Sequence, residues 1–346
     1  MRSSFKEAVL GTLPKVYFIA EAGLNHNGSM ELAKGIIEIA ARAGADAVKF
    51  QKRTISQLAI KNTLDQQDNR FPSFGRTYRE IREHLEFNLD QYLELKDFTL
   101  AHGLEFIVTP FDSEAIDFLN PLNLVGYKVA SHSVRNIDFL EALGGERKPV
   151  VMSTGMSTLK EIDEAVDVWR KHSVPFALLH CVSSYPTSDQ DAHLRVISTL
   201  KERYSVAIGY SGHEKDELST LSAVALGANI IERHVTVSRT LEGFDHGLSL
   251  DENQLCELML KIRRIETLLG SREKKLLPCE LIARDKYNVS MVSNRLLSVG
   301  HKLTQDDVTW KNPGTGISRN ELNNYLGKEL ICDVEADTLL NANMFI

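Results

Sequence analysis

The chain has 346 residues, of which 43% are hydrophobic and 25% are charged. This composition is typical of globular proteins and excludes disordered and collagen-like classes. The formal net charge of −7 at pH 7 argues against a nucleic-acid-binding protein, which usually carries a basic surplus on one face. No apolar run approaches the roughly 20 residues that cross a bilayer, and the N-terminal segment lacks the apolar stretch of a signal peptide. We therefore expect no nucleic-acid or membrane partner and a cytoplasmic location.

Eight short apolar runs recur along the first three quarters of the chain. Each is rich in β-branched or aromatic residues and is continuous rather than alternating, which is typical of parallel strands buried on both faces. The runs are residues 16–22, 45–51, 104–111, 126–131, 149–155, 176–183, 206–211 and 228–236.

Amphipathic segments between these runs predict helices. The clearest are residues 30–43, 90–101, 158–171, 217–226 and 252–269. Eight strands that alternate with helices within residues 1–270 predict an α/β protein of the (β/α)8 TIM-barrel class. The competing architecture is a doubly wound open sheet, which usually has a glycine-rich dinucleotide loop after its first strand. Glu21 to His26 is not such a loop. The long connection 52–89 is expected to form a lid or rim over the site.

The pattern changes after Gly270. Residues 271–286 are charged, contain a proline, and are interpreted as a linker. Strand-like pieces at 288–292, 307–310 and 329–332 predict a compact β-rich domain over residues 287–346. So small a core is marginally stable alone and is expected to pack on another surface.

The four cysteines of the chain are dispersed, and none forms a CxxC pair. Neither a disulfide framework nor a zinc knot is indicated. We expect reduced and buried thiols at Cys181, Cys256, Cys279 and Cys332.

Polar residues stand at the carboxyl ends of the predicted strands, where barrels place their catalytic groups. Lys49 and Lys128 lie inside apolar runs, where an unpaired ammonium group is costly to bury. Hydroxyl side chains are expected at the same level. Two lysines with such a ring of hydroxyls can bind a phosphate and a carboxylate together. The hydroxyl residues are Thr109, Ser131, Ser153, Ser183 and Ser211.

Two histidines end the seventh and eighth predicted strands. Neighbouring strands lie about 4.8 Å apart, so His213 and His234 can share one metal ion beside Glu232 and Asp245. Two nitrogen ligands leave coordination positions open, which suits a divalent Lewis acid such as Mn²⁺ or Mg²⁺ better than a closed zinc site.

Nine motifs in order resemble the sialic acid (nonulosonic acid) synthase family, which includes the spore coat polysaccharide synthases. The C-terminal domain resembles the antifreeze-like, or SAF, domain of those enzymes, which has the β-clip fold. The motifs are residues 21–28, 48–51, 109–111, 128–131, 153–156, 180–186, 209–213, 232–234 and 245–250.

The resemblance implies an enzyme, a transferase that condenses phosphoenolpyruvate with an N-acetylmannosamine-like aldose into a 2-keto-3-deoxy acid. Glu21 matches the family's acid/base residue, and Glu232 joins it and the two lysines in the implied catalytic set. The lysines and the hydroxyl residues would bind phosphoenolpyruvate, and the histidines would hold the metal. Gln51, Tyr185 and Asp245 match sugar-contacting positions. The SAF domain would cover the partner's active site in a domain-swapped homodimer.

Two departures from the family pattern leave the acceptor sugar open. Asn312 stands in the sugar-contacting SAF loop where many members have an arginine, and His132 follows Ser131 where many have a glutamate. Two other functions remain as alternatives. One is a Schiff-base pyruvate aldolase with Lys128 or Lys49 as the nucleophile. The other is a degenerate barrel that binds carbohydrate without catalysis.

Overall fold

The first part of the chain folds as a closed barrel of eight parallel strands. The computed structural model describes residues 4–346. Neighbouring strands pair in sequence order, and β8 closes the barrel against β1, which confirms the predicted fold class. The strands are β1 (Tyr17–Gly23), β2 (Ala47–Lys52), β3 (Glu105–Pro110), β4 (Tyr127–Val129), β5 (Val150–Ser153), β6 (Phe176–Cys181), β7 (Ile208–Gly212) and β8 (Ile230–His234).

Alternate residues of each strand supply two apolar layers. In β1, Tyr17 and Ile19 belong to a cluster inside the barrel wall with Val151 of β5 and Ile230 of β8. Phe18 belongs to the larger cluster that the helices cover. Side chains alternate between the two faces of a strand. Both faces are buried, so the runs read as continuous apolar segments.

Helices follow the strands and cover the outside of the barrel. The predicted helices at 30–43 and 252–269 have those bounds, and Thr158 begins another with a capping box to Glu161. Several shorter helices were not predicted, because their apolar periodicity spans fewer than three turns. The helices are α1 (Phe5–Leu10), α2 (Met30–Ala43), α3 (Ile55–Leu58), α4 (Lys61–Leu64), α5 (Tyr78–His84), α6 (Leu89–Ala101), α7 (Ser113–Leu119), α8 (Ile137–Gly145), α9 (Leu159–Lys171), α10 (Val196–Tyr204), α11 (Leu218–Ala225), α12 (Glu252–Leu269) and α13 (Leu281–Tyr287).

A second compact unit comprises Ser271–Ile346, and the first ends at Gly270. Its two-stranded antiparallel sheet consists of β9 (Ser290–Ser293) and β10 (Val308–Lys311). The strand-like piece at 329–332 makes isolated bridges instead of a strand. The predicted linker contains most of α13, which follows a short 3-10 turn at Pro278–Glu280. An apolar core that includes Met291, Leu303 and Leu340 is buried in this unit.

The cysteines differ from the expectation in burial. All four are free, but only Cys181 is buried, while Cys279 and Cys332 are exposed. Both exposed thiols lie in the small second unit, whose core is too small to bury most of its side chains. Within residues 4–346, no helix combines the length and the apolar character needed to span a bilayer.

Candidate active site

A cavity of about 450 Å³ lies at the carboxyl ends of the barrel strands. This size suits a small-molecule site. Its wall includes every barrel residue that the sequence predicted for the site. Asn312, the remaining predicted residue, lies in the second unit, directly after β10. The predicted residues in the wall are Glu21, Lys49, Gln51, Thr109, Lys128, Ser131, Ser153, Ser183, Tyr185, Ser211, His213, Glu232, His234 and Asp245.

Two lysine–glutamate pairs form the floor of this cavity. Lys49 Nζ lies 2.7 Å from Glu21 Oε2 and donates to Thr109 Oγ1 at 3.0 Å. Lys128 Nζ lies 3.3 Å from Glu232 Oε1, and Lys49 Nζ lies 4.0 Å from the other Glu232 oxygen. All four charged side chains are buried. The lysines that the sequence placed inside apolar runs are therefore buried as paired charges, which is how proteins tolerate them.

The electrostatics of the floor favour an ionised Glu232. Burial alone would raise the pKa of this carboxyl, but Lys128 and Lys49 lower it to about 2. Burial lowers the pKa of Lys128, and Glu232 partly offsets that effect. A carboxyl with so low a pKa is not a proton donor near neutral pH. An ionised Glu232 is placed to hold both lysines, and its membership of the catalytic set stays a prediction.

The hydroxyl residues at the strand ends differ in how they are bonded. Ser211 Oγ donates to Glu232 Oε1 at 3.1 Å, and Ser131 Oγ accepts from the Gly155 backbone N–H at 2.9 Å. Ser153 Oγ is buried and has no hydrogen-bond partner within residues 4–346. A buried hydroxyl without a partner is costly, so an acceptor from a bound molecule fits this position.

The two predicted metal ligands face each other across neighbouring strands. The rings of His213 and His234 lie 5.5 Å apart between centroids. His213 Nδ1 lies 3.0 Å from the carbonyl oxygen of Val182, which leaves Nε2 available. His234 Nδ1 is buried, has no hydrogen-bond partner among the described residues 4–346, and lies 3.8 Å from Asp245 Oδ2. Burial lowers the pKa of His234, which favours the neutral form that binds metals.

This arrangement fits an open metal site rather than a closed one. Among residues 4–346, no group of three or more histidine, cysteine, aspartate or glutamate side chains is arranged to hold a metal ion. Two neighbouring imidazoles with available ring nitrogens would leave most coordination positions of a divalent ion to water or substrate. The donor set therefore fits a group whose remaining ligands come from water or substrate.

Two arginines in the cavity wall were not predicted as site residues. Arg53 directly follows β2 and stacks on Phe111 at 3.6 Å. Arg82 lies in α5 and stacks on Phe244 at 4.5 Å. Arg53 could have been found from the sequence, because it stands two residues after the predicted site residue Gln51. Arg82 reaches the cavity only through the folding of the 52–89 connection.

His132 also lines the cavity, at the position where the resemblance led us to expect a glutamate. Burial, followed by the nearby Arg53 and Lys128, lowers its pKa to about 4. The imidazole is therefore neutral near pH 7, and the cavity lacks a negative charge that the family pattern would supply.

Comparison with protein-family models matches the NeuB family over residues 36–274 and the SAF domain over residues 289–346. The N-acetylneuraminate-9-phosphate synthase of Mus musculus is 36% identical over 93% of this chain and 90% of its own length. The N,N'-diacetyllegionaminic acid synthase of Legionella pneumophila is also 36% identical, over 95% of this chain and 94% of its own length.

A crystal structure with the same architecture is that of a Chromobacterium violaceum protein named after spore coat polysaccharide biosynthesis protein E. It superposes with a TM-score of 0.83 at 26% identity, over 96% of this chain and all of that chain. The two enzyme relatives are equally similar to this chain, yet their names specify different products. Overall similarity therefore does not select the acceptor sugar.

Proposed function

Because the chain belongs to the NeuB family and carries a C-terminal SAF domain, we propose that it condenses phosphoenolpyruvate with an aldose. The products are a nonulosonic-type 2-keto-3-deoxy acid and inorganic phosphate. The observation that carries this proposal is the cavity floor, where two buried lysines and a set of strand-end hydroxyls converge. Such a floor complements a small molecule that bears both a phosphate and a carboxylate.

Phosphoenolpyruvate would bind to Lys49, Lys128 and the hydroxyls of the floor. Glu21 and Glu232 keep the two ammonium groups in place before the substrate arrives. Positioned cations that require no reorganisation during the reaction stabilise the developing charge effectively. The unpartnered hydroxyl of Ser153 supplies a further donor.

In the proposed reaction, C3 of phosphoenolpyruvate forms a bond to the aldehyde carbon of the open-chain sugar, whose oxygen gains a proton. Water then adds to C2 and cleavage of the bond between C2 and the phosphate oxygen leaves a keto group; one proton of the water passes to the sugar oxygen and the other leaves with the phosphate. Glu21 Oε1 accepts a hydrogen bond from Gln51, and Oε2 contacts Lys49. We assign Glu21 the removal of the proton from the attacking water.

His213 and His234 are the residues that would hold a divalent cation, Mn²⁺ or Mg²⁺. Such an ion supplies Lewis acidity toward a carbonyl oxygen. The rings of Tyr185 and His213 lie 4.1 Å apart between centroids, and Asp245 Oδ2 lies 3.8 Å from His234 Nδ1, so two of the proposed sugar-binding residues adjoin the proposed metal ligands.

The sugar half of the site would be completed by Gln51, Tyr185, Asp245 and, from the SAF domain of a partner chain, Asn312. A domain-swapped homodimer is therefore part of the proposal. Ile282 of α13 is 84% exposed and Tyr287 is 64% exposed in the single chain, which supports a partner surface near this helix. Phosphoenolpyruvate is a cytoplasmic metabolite, which supports that compartment.

The direct test is phosphate release from phosphoenolpyruvate with a panel of aldoses. Glu21→Gln is expected to lower kcat by about 10²- to 10⁴-fold while phosphoenolpyruvate still binds in calorimetry. Glu31→Gln, on the exposed first turn of α2, is the matched control and should leave kcat unchanged. Full activity of Glu21→Gln would contradict the assigned role.

Metal dependence has its own test. EDTA treatment is expected to abolish phosphate release, and Mn²⁺ or Mg²⁺ is expected to restore it. The His213→Ala variant should not be restored. Undiminished activity in thoroughly chelated enzyme would contradict the metal assignment but not the proposed phosphoenolpyruvate site.

One observation favours a second candidate, the Schiff-base pyruvate aldolase. Burial lowers the pKa of Lys128, as a nucleophilic lysine requires. Its ion pair with Glu232 works against that role, because the pair favours the charged ammonium form. Borohydride with pyruvate separates the candidates: a covalent adduct on Lys128 would establish the aldolase, and its absence is expected.

A further inference from the structure

The cavity wall contains two arginines, Arg53 and Arg82, that form no direct ion pair with any residue of the described range 4–346. Lys49 and Lys128 are paired with glutamates, and Asp245 adjoins His234. Three buried nitrogen atoms of the two arginines have no hydrogen-bond partner in the part of the chain that the structure describes: Arg53 Nη1, Arg82 Nε and Arg82 Nη1. Arg53 is 7% exposed overall.

Aromatic rings hold both guanidinium groups in place. Arg53 lies 3.6 Å above Phe111, and Arg82 lies between 4.5 and 5.0 Å from the rings of Phe244 and Tyr78. Stacking uses the face of a guanidinium and leaves its N–H edge free for a planar or tetrahedral oxyanion. The stacking therefore orients the guanidinium N–H donors and leaves them free to bind an anion.

The neighbouring carboxylates Glu86 and Asp68 are each paired with another cation. Asp68 lies near enough to Arg82 for that charge to help lower the pKa of Asp68, but its ion pair is with Arg70 at 2.5 Å. Glu86 is paired with Lys52 at 2.8 Å, and it receives the backbone N–H of Arg53 at 3.3 Å rather than the guanidinium. Burial, followed by the charge of Arg82, lowers the pKa of Arg53 to about 10. Arg53 is thus charged near pH 7, and its repulsion with Arg82 would be relieved by a bound anion.

Gln51 connects this pair to the reacting end of the cavity. Its Nε2 donates to Glu21 Oε1, and its Oε1 accepts from Arg53 Nη2. A single amide side chain thus separates the acid/base residue from the first arginine. A ligand with its reacting carbonyl near Glu21 and an anionic group a few carbons away would contact both.

We propose that Arg53 and Arg82 form a second anion subsite, which binds the phosphate of a phosphorylated aldose. This inference rests on the proposed function, since it names the class of acceptor for the same site. The lysine floor already accounts for the phosphate and the carboxylate of phosphoenolpyruvate. Two uncompensated guanidinium groups match a dianion with several acceptor oxygens better than a single carboxylate.

The test compares N-acetylmannosamine with its 6-phosphate as acceptors. The wild-type enzyme is expected to prefer the phosphorylated acceptor, with kcat/KM higher by about 10-fold or more, since a charge-assisted hydrogen bond contributes about that much. In Arg82→Leu the ratio of the two kcat/KM values should fall about 10- to 100-fold. Arg82→Lys, which keeps the charge but loses the fork, should recover part of it. Arg79→Leu, in the same helix and paired with Asp65, is the control with an unchanged ratio.

Calorimetry with mannose 6-phosphate, with and without phosphoenolpyruvate, makes the subsite measurable without turnover. Binding that Arg82→Leu weakens at least 10-fold would support the subsite even if no acceptor released phosphate, and in that case only the proposed function would fail. Equal kcat/KM for both acceptors, or equal affinity of mannose and its 6-phosphate, would overturn the subsite. The subsite would also be overturned if Arg82→Leu raised only the KM for phosphoenolpyruvate, because the arginines would then bind that substrate and not the sugar phosphate.

Discussion

Ser153 and Thr154 are adjacent residues at the end of β5 whose hydroxyls have opposite environments. Ser153 lines the cavity, and its buried Oγ has no hydrogen-bond partner among the residues that the structure describes. Thr154 Oγ1 donates to the backbone oxygen of Leu179 at 2.9 Å. An unsatisfied buried hydroxyl lowers the stability of a protein, whereas a satisfied one contributes to it. We therefore expect Ser153 to affect the binding of phosphoenolpyruvate and Thr154 to affect the stability of the protein.

Ser153→Ala is expected to weaken phosphoenolpyruvate binding about 10-fold or more, because it removes a donor to a charged ligand. The free energy of unfolding should stay the same or rise, since the variant removes a buried group without a partner. Calorimetry and urea unfolding measure the two quantities.

Thr154→Val provides the reciprocal control at the neighbouring position. It should destabilise the protein by about 1 kcal/mol and leave the Kd of phosphoenolpyruvate unchanged. If Ser153→Ala destabilised the protein and bound phosphoenolpyruvate normally, the hydroxyl would be a packing group only.

The loop after β5 depends on a residue without a side chain. A Cβ added at Gly155 would lie 2.4 Å from Ser183 Oγ and 2.8 Å from Ser131 Oγ. Both hydroxyls belong to the proposed phosphoenolpyruvate site. The loop can therefore approach β4 and β6 closely only with glycine at this position.

Gly155→Ala is expected to raise the Kd of phosphoenolpyruvate at least about 10-fold, because a methyl group in contact with two hydroxyls displaces them, and such overpacking costs about 1–3 kcal/mol. Isothermal titration measures this change. Gly145→Ala, at the end of α8, adds a methyl that meets no atom within 4 Å and should leave binding unaffected. Equal affinity in both variants would contradict the proposed role of Ser131 and Ser183.

The two units of the molecule differ in what stabilises them. The barrel has a large apolar core, whereas the second unit has a small core and a fully buried carboxylate, Asp307. Burial alone would raise the pKa of Asp307. Hydrogen bonds from His301, Thr304 and Arg295 hold that pKa far below its usual value instead. We therefore expect the stability of the second unit to depend on the ionised carboxylate of Asp307.

The sign of the pH dependence follows from this lowered pKa. The stabilisation by Asp307 is present above about pH 4, where the unfolded carboxyl ionises, and it is lost as the pH falls toward the folded-state pKa. Hydrogen exchange of β9 and β10 should therefore accelerate on acidification. Asp307→Asn should lower the stability of this unit by about 2–3 kcal/mol at pH 7 and flatten that dependence. The neighbouring exposed Asp306→Asn should do neither.

The proposed homodimer can be tested by its mass in solution. Sedimentation of the full chain, whose mass is 38.8 kDa, should give a species of twice that mass. A strict monomer with full activity would remove the partner chain, and with it Asn312, from the active site.

The sequence predicted the barrel well because buried parallel strands and their polar ends are local patterns. Lys49, Lys128 and the strand-end hydroxyls follow directly from strand positions, and the structure brings them into one cavity. Arg82 could not be predicted in the same way. It reaches the cavity from a helix within an irregular connection, and its stacking on Phe244 joins residues far apart in the chain. The segment 329–332 has strand-like residues, yet it forms only isolated bridges, because strand formation depends on an available partner.

The lysine–glutamate floor has a consequence for turnover. With the site vacant, each ammonium already has a carboxylate, so an arriving anion must compete for it and is held less tightly than by unpaired cations. When the phosphate leaves, Glu21 and Glu232 can resume contact with Lys49 and Lys128. Departure of the product therefore does not leave the buried lysines without a counter-charge. An exchange of partners thus makes release easier at the cost of affinity. Removing a carboxylate from the floor should therefore turn phosphate from a readily discharged product into a persistent inhibitor.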